Sequence, residues 1–245
     1  MKFFSVLFLI QFIIYIFFFK TVVKSLNLKI DLDDKRYTVL YDEKKVKFAD
    51  LDLLKIMFHP NHVRHCSNSI INYMMKLSSG TSPYILFVVK NIDITFEKPL
   101  EYNDDYKIFG AITNYGNTSI KLTVFGIGSE KKNKSYSSAI DFFNVKKLLL
   151  DSYTSNNNYE VDENNKGIHN LLKNYNEEKS EPIKLTQQNA KELAEGKTCK
   201  IFFKAQYTLV KISKVGSKAS VTEDFKNEYP AIDEEKLKEL INLFC

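Results

Sequence analysis

"DLDLLKIMFHPNHV", Asp50 to Val63, sets two acids, an apolar run, a histidine and a proline directly ahead of a helical pattern. From there Val63, Cys66, Ile70, Tyr73 and Leu77 recur at spacings of three and four, which predicts a single helix with one buried face. It should run about four to five turns. "SSG" after Leu77 is the expected stop, with Gly80 able to take a left-handed cap.

Strands read outward from that helix. Upstream, "RYTVLYDEKKVKF" mixes β-branched and aromatic residues around polar ones and predicts a first strand or hairpin. Downstream, "YILFVVKNIDITFEKPL" alternates Ile92, Ile94 and Phe96 with Asp93, Thr95 and Glu97, the period of a half-buried strand. "DYKIFGAITNYG" adds a strand, and "SIKLTVFGIGSEKKNKSYSSAIDFFNVKK" a strand and hairpin with "SEKKNK" at the tip. "CKIFFKAQYTLVKI" reads as a further strand, and "DEEKLKELINLF" as a terminal amphipathic helix with an acidic first turn. The order predicts an α+β fold in which an antiparallel sheet curls around one long helix.

The expected divisions are a leader at 1–26, a main domain at 27–150, a polar insertion at 151–198, and an additional strand and helix at 199–245. Within the insertion, Thr186 caps a short helix, "QQNAKELAE", that Gly196 stops. The leader, "MKFFSVLFLIQFIIYIFFFK", is an apolar run broken by Gln11, short for a membrane span and long for a signal core. A cleaved signal peptide and an uncleaved N-terminal anchor both fit, and both direct the chain into the secretory pathway; a short organellar leader is a third reading that the sequence leaves open.

Composition narrows the function classes. With 44% hydrophobic residues, 19 Phe and 14 Tyr in 245 residues, the chain is a folded globular protein. Its +5 charge is nearly all lysine, since Arg36 and Arg64 are the only arginines among 35 basic residues. Nucleic-acid readers depend on arginine and on interleaved aromatics, so no nucleic-acid partner is expected. Cys66, Cys199 and Cys245 are odd in number and widely spaced, predicting neither a disulfide framework nor a zinc site. His59, His62 and His65 rotate around a helix rather than meeting at one ion. Glycines 110, 116, 126 and 128 fall in turns and bulges, not in a phosphate-cradling loop. No metal and no cofactor are expected.

A helix N-terminus offers unpaired N–H groups and about half a positive charge, so it polarises a carbonyl placed against it. A carboxylate at Asp52 beside that carbonyl can attack it or deprotonate a water. An Asp ahead of a helix equally serves as a cap or a surface charge, and His59 as loop filling; spacing alone leaves both readings open. Asp50 is a loop or strand-end acid and the second candidate for the same role.

The stretch resembles the signature of hotdog-fold acyl-CoA thioesterases of the 4-hydroxybenzoyl-CoA and Tol-Pal-associated type. That signature is an acid, two residues, usually a glycine, hydrophobics, an aromatic, His or Tyr, then often Pro or Ala and Asn. Asp52 falls at the family's catalytic carboxylate and Phe58 at the aromatic. His59 falls at the His or Tyr of the helix start, with Pro60 and Asn61 following in order. In "FVVKNIDITFEKPLEYNDDYKI", Val88, Val89, Pro99 and Asp105 hold the places of a paired valine, a proline and a strand-opening acid. "YGNTSIKLTVFGI" and "SSAIDFFNV" resemble the two strands that follow, so the likeness covers about residues 37 to 147.

The resemblance implies hydrolysis of an acyl-CoA or acyl-carrier-protein thioester, with Asp52 and His59 catalytic and Lys55, Phe58, Pro60, Asn61, Val88 and Val89 at the substrate. It also implies a homodimer or homotetramer built by joining sheets edge to edge, with sites between protomers. Lys55 departs from the pattern by standing where the family has glycine, and Leu53 and Leu54 by replacing small residues in the turn. Those departures keep an alternative in view: a non-catalytic hotdog protein that binds acyl chains or a protein partner. The lysine- and asparagine-rich composition is similar to that of malaria-type parasites. Their relict plastid, the apicoplast, lies on the secretory route, which reconciles the leader with acyl-CoA chemistry.

Overall fold

Leu26, Leu28, Ile30 and Leu32 alternate with polar residues, and strand β1 (Ser25–Leu32) buries all four. It hairpins into β2 (Lys35–Lys45) through Asp33 and Asp34, whose φ angles of 50° and 59° are those of a primed two-residue turn. Aspartate enters this left-handed region more readily than most residues. The computed structural model describes residues 25–81, 86–129, 172, 175–177, 180–185, 199–213 and 215–244. The apolar leader up to residue 24, the "SEKKNK" tip, the "SSAIDFFNV" segment, the short helix after Thr186 and most of the polar insertion lie outside the described residues.

Helix α1 (His59–Thr81) is 23 residues long and continues through Gly80, so the expected stop there is not used. An unstrained glycine weakens a helix without ending it. The remaining elements are β3 (Leu86–Phe96), β4 (Asp105–Tyr115), β5 (Ser119–Ser129), β6 (Ile183–Leu185), β7 (Cys199–Ile212), α2 (Glu223–Glu228) and α3 (Glu234–Phe244). They confirm the α+β class. The sheet runs β3-β7-β5-β4-β2-β1-β6, and every pairing is antiparallel except that of β1 with β6.

One expectation about strand partners is corrected. The second arm of the hairpin expected after β5 lies outside the described residues, and β5 itself pairs with β4 on one edge and β7 on the other. β7, expected as an addition beyond residue 150, lies inside the sheet between β5 and β3 and completes it. Gly126 admits the close approach of β7 here: a Cβ at that position would sit 2.1 Å from the Phe203 ring.

The sheet is covered on both faces. Cys66, Ile70, Tyr73, Met74 and Leu77 of α1 pack on one face, against Ile108, Leu122, Val124 and Phe203. Leu237, Leu240, Ile241 and Phe244 of α3 pack on the other, where Phe244 stacks on Phe109 with centroids 4.9 Å apart. Ile108 and Phe109 are neighbours in β4 serving opposite cores, as a two-residue period requires. The arrangement therefore goes beyond a sheet curled around one helix. Cys199 is disulfide-bonded, a single bond where the spacing of the cysteines predicted no disulfide framework; Cys66 is a free, buried thiol. Sequence spacing cannot show a bond that only the folded chain brings into reach.

Candidate active site

The loop between the 3-10 turn at Phe48–Asp50 and α1 is tied at its base and tight at its tip. At the base, Leu51 bridges Met57, and the Asp50 carbonyl accepts the Phe58 amide at 2.8 Å and the Asn61 side-chain amide at 2.9 Å. Towards the tip, Asp52 donates its amide to the Ile56 carbonyl at 2.9 Å and accepts the Lys55 amide at 3.1 Å. The Asp52 carboxylate joins in: Oδ1 accepts the amides of Leu54, at 2.8 Å, and Ile56, at 3.4 Å. Lys55 sits at φ 64°, the left-handed conformation that glycine takes freely. The loop thus adopts a glycine backbone without the glycine.

This turn thrusts Leu53 and Leu54 into solvent, 95% and 77% exposed. Phe48, Leu51, Asp52, Leu53, Leu54, Lys55 and Phe58 line an open cavity of about 580 Å³. Its walls are apolar apart from one carboxylate and one ammonium.

Phe58 N–H is spent on Asp50, Pro60 has no N–H, and Asn61 N–H returns to the Phe58 carbonyl at 2.8 Å. Among the described residues, His59 N–H has no backbone acceptor, so it is the donor that opens α1.

Beneath the loop lies a buried polar cluster. The Asp50 side chain, 3% exposed, accepts Arg64 Nη2 at 2.6 Å and the Lys47 amide at 2.9 Å, and lies 3.4 Å from His65 Nε2. His65 Nδ1 is 2.6 Å from the Tyr106 hydroxyl. Burial pushes the pKa of His65 down and that of Tyr106 up. His62 is wedged edge-on between Phe96 and Phe203, and burial lowers its pKa to about 4, so the ring is neutral at pH 7. Deeper still, Asp42 is fully buried with Lys44 and Ser69 as partners.

Of the residues singled out in the sequence, Asp52, Lys55 and Phe58 meet at the cavity. His59 and Pro60 are exposed at the helix start, the His59 ring 4.7 Å from that of Phe58. Asn61 holds the loop through Asp50 rather than lining the cavity. Val88 and Val89 are half-exposed on β3, an edge strand, and are not part of the lining. Asp50, expected as a loop or strand-end acid, ends the 3-10 turn before the loop, and its side chain is the hub of the buried cluster. Sequence reading missed Phe48 and Leu51 and noted Leu53 and Leu54 only as departures. The available signal was an adjacent pair of leucines where a turn is expected.

No family model and no curated protein matches the sequence. Among solved structures, the chain is similar to 4-hydroxybenzoyl CoA thioesterase from Pseudomonas sp. strain CBS-3, at 11% identity over 76% of this chain and 96% of that one, with a TM-score of 0.44. A member of the thioesterase superfamily from Jannaschia sp. CCS1 is 12% identical over 80% of this chain and 87% of that one, with a TM-score of 0.45. A hexameric hotdog fold thioesterase of Campylobacter jejuni is 13% identical over 76% of this chain and 92% of that one, with a TM-score of 0.43.

Proposed function

We propose that this chain is a hotdog-fold thioesterase that hydrolyses an acyl-CoA or acyl-carrier-protein thioester. The observation that carries the reading is the Asp52 carboxylate on the wall of an apolar cavity, in the loop that leads to a helix-start amide without a backbone acceptor among the described residues. The acyl group occupies the apolar walls, and its carbonyl oxygen takes the His59 N–H. Asp52 then removes a proton from water as hydroxide attacks the carbonyl carbon. The alternative course is direct attack by Asp52, giving an anhydride that water cleaves. In either course the negative charge on oxygen is held by the amide and the helix dipole, the C–S bond breaks, and the thiolate leaves and is protonated. The exposed His59 ring orients water or substrate.

One observation favours the rival, a non-catalytic acyl-binding protein. Asp52 Oδ1 already serves its own turn, as a purely structural acid would. Its second oxygen remains for chemistry in the catalytic reading. Thiol release from a panel of acyl-CoAs by the purified protein separates the two: turnover supports the thioesterase, and acyl binding without turnover supports the rival.

The working unit in this reading is a homodimer joined along β3. That strand is an 11-residue edge exposing Leu86, Val88, Val89 and Phe96, and an uncovered apolar edge invites a second copy. Phe96 touches His62, so a partner added there lies near the helix start and brings Val88 and Val89 of β3 towards the substrate. We place the protein on the secretory route, with the apicoplast as its destination; the Cys199 disulfide fits passage through an oxidising lumen. A fluorescent fusion of the first 60 residues that stays in the cytosol would remove that placement.

A further inference from the structure

A buried carboxylate beside a helix start is an awkward neighbour for an oxyanion, because both are negative. Asp50 is that carboxylate. Its backbone oxygen takes up the Phe58 amide, which leaves His59 N–H as the first helix-start amide without a backbone acceptor among the described residues. Its side chain is matched by the Arg64 guanidinium at 2.6 Å, from the second turn of the same helix. His65, one residue on, reaches Asp50 on one side and Tyr106 on the other.

We infer that Asp50, Arg64 and His65 form a positioning unit in which Asp50 selects the helix-start amide offered to substrate and Arg64 cancels the Asp50 charge so that this amide keeps its positive field. The effect on turnover rests on the thioesterase reading; the unit itself does not. Arg64 is the sensitive point. Its side chain is 55% exposed, so replacing it leaves the core intact, yet among the described residues it supplies the one strong countercharge to a side chain that is 3% exposed. His65 is the reserve cation. It faces Asp50 from the loop, Lys44 with its partner Asp42 from β2, Tyr106 from β4, and Arg64 and His62 on its own helix. Burial is the main brake on its protonation, Asp50 favours it, and Lys44 and Arg64 oppose it in turn. Removing Arg64 therefore lets His65 take a proton at higher pH and stand in for the lost cation.

The test is Arg64→Gln and Arg64→Lys in the full chain, each followed from pH 6 to pH 8. Arg64→Gln should lose about tenfold in kcat at pH 8, the scale for a group that orients a reacting group without touching it, with KM within about twofold. It should recover part of that loss towards pH 6, and Arg64→Lys should restore most of it at all pH values. A structural role alone would shift both pH profiles in parallel, which would overturn the inference. The second readout needs no turnover: the His65 ring titration by NMR should move up in Arg64→Gln and down in Asp50→Asn, and Phe58 amide exchange should quicken in Arg64→Gln. If the wild type cleaves no thioester, the enzymatic reading fails while these titrations still support the unit. Unchanged titration and exchange overturn it.

Discussion

Replacing Asp52 by Asn separates chemistry from architecture, because the two oxygens of this side chain have different duties. Oδ1 accepts the Leu54 and Ile56 amides at 2.8 and 3.4 Å. An asparagine carbonyl can keep both bonds. What it loses is the charge-assisted share of their strength, so stability should fall by no more than about 1 kcal/mol. In a chain of this length that is about 2–4 °C in Tm. The carboxylate that attacks or activates water is gone altogether. Loss of a general base or nucleophile costs about 10²–10⁴ in kcat, or about 2.7–5.4 kcal/mol of barrier. Asp52→Ala removes the turn bonds as well, at about 1 kcal/mol each, and should melt lower than Asp52→Asn while being no less inactive. Thiol release on the best acyl-CoA, with thermal melts of the same samples, reads both effects. An Asp52→Asn protein that retains activity within about threefold of wild type would refute the catalytic role. A collapse of its melting temperature would refute the division of duties between the two oxygens.

Other outcomes follow from the same geometry. Because Lys55 holds φ 64°, Lys55→Gly should be more stable than Lys55→Ala, the reverse of the usual order, by about 1 kcal/mol; equal melting temperatures would show that the loop relaxes. His62, with its pKa lowered to about 4, contributes stability that is complete above the ordinary histidine value near 6.5 and lost as pH falls towards 4. The steepest loss should approach about 1.4 kcal/mol per pH unit, and His62→Phe should flatten the melting profile across that window. Native protein alkylated without reductant should leave both Cys199 and Cys66 unlabelled. Cys199 is bonded, and Cys66 is fully buried with its thiol pushed up to about 12. Labelling of either residue before unfolding contradicts the structure.

The legible parts of the sequence were those whose signal is local. The three-and-four spacing from Val63 to Leu77 and the alternation through Ile92, Ile94 and Phe96 gave α1 and β3 because burial on one side imposes those periods directly. β1 carries an equally clear alternation from Leu26 to Leu32, but it adjoins the apolar leader, and the first expected strand begins only at Arg36. The partner of β5 was not legible, since β7 pairs with it across some seventy intervening residues that leave no local trace. The approach of Asp52, Lys55 and Phe58 was visible in the motif, whereas the hub role of Asp50 was not. It depends on Arg64, His65 and Tyr106 arriving from a helix and a strand. Lys55 shows the limit from the other side: the resemblance identified a glycine place, and only the backbone shows that the loop kept a glycine's conformation.

The most direct measurement is a crystal structure with a ketone analogue of an acyl-CoA, in which a methylene separates carbonyl from sulfur so that nothing is cleaved. The account predicts the ketone oxygen about 2.7–3.1 Å from the His59 amide, the alkyl group between Leu53, Leu54 and Phe58, and an Asp52 oxygen facing the carbonyl carbon directly or through one water. A ligand seated elsewhere, or one whose carbonyl turns away from the start of α1, contradicts it.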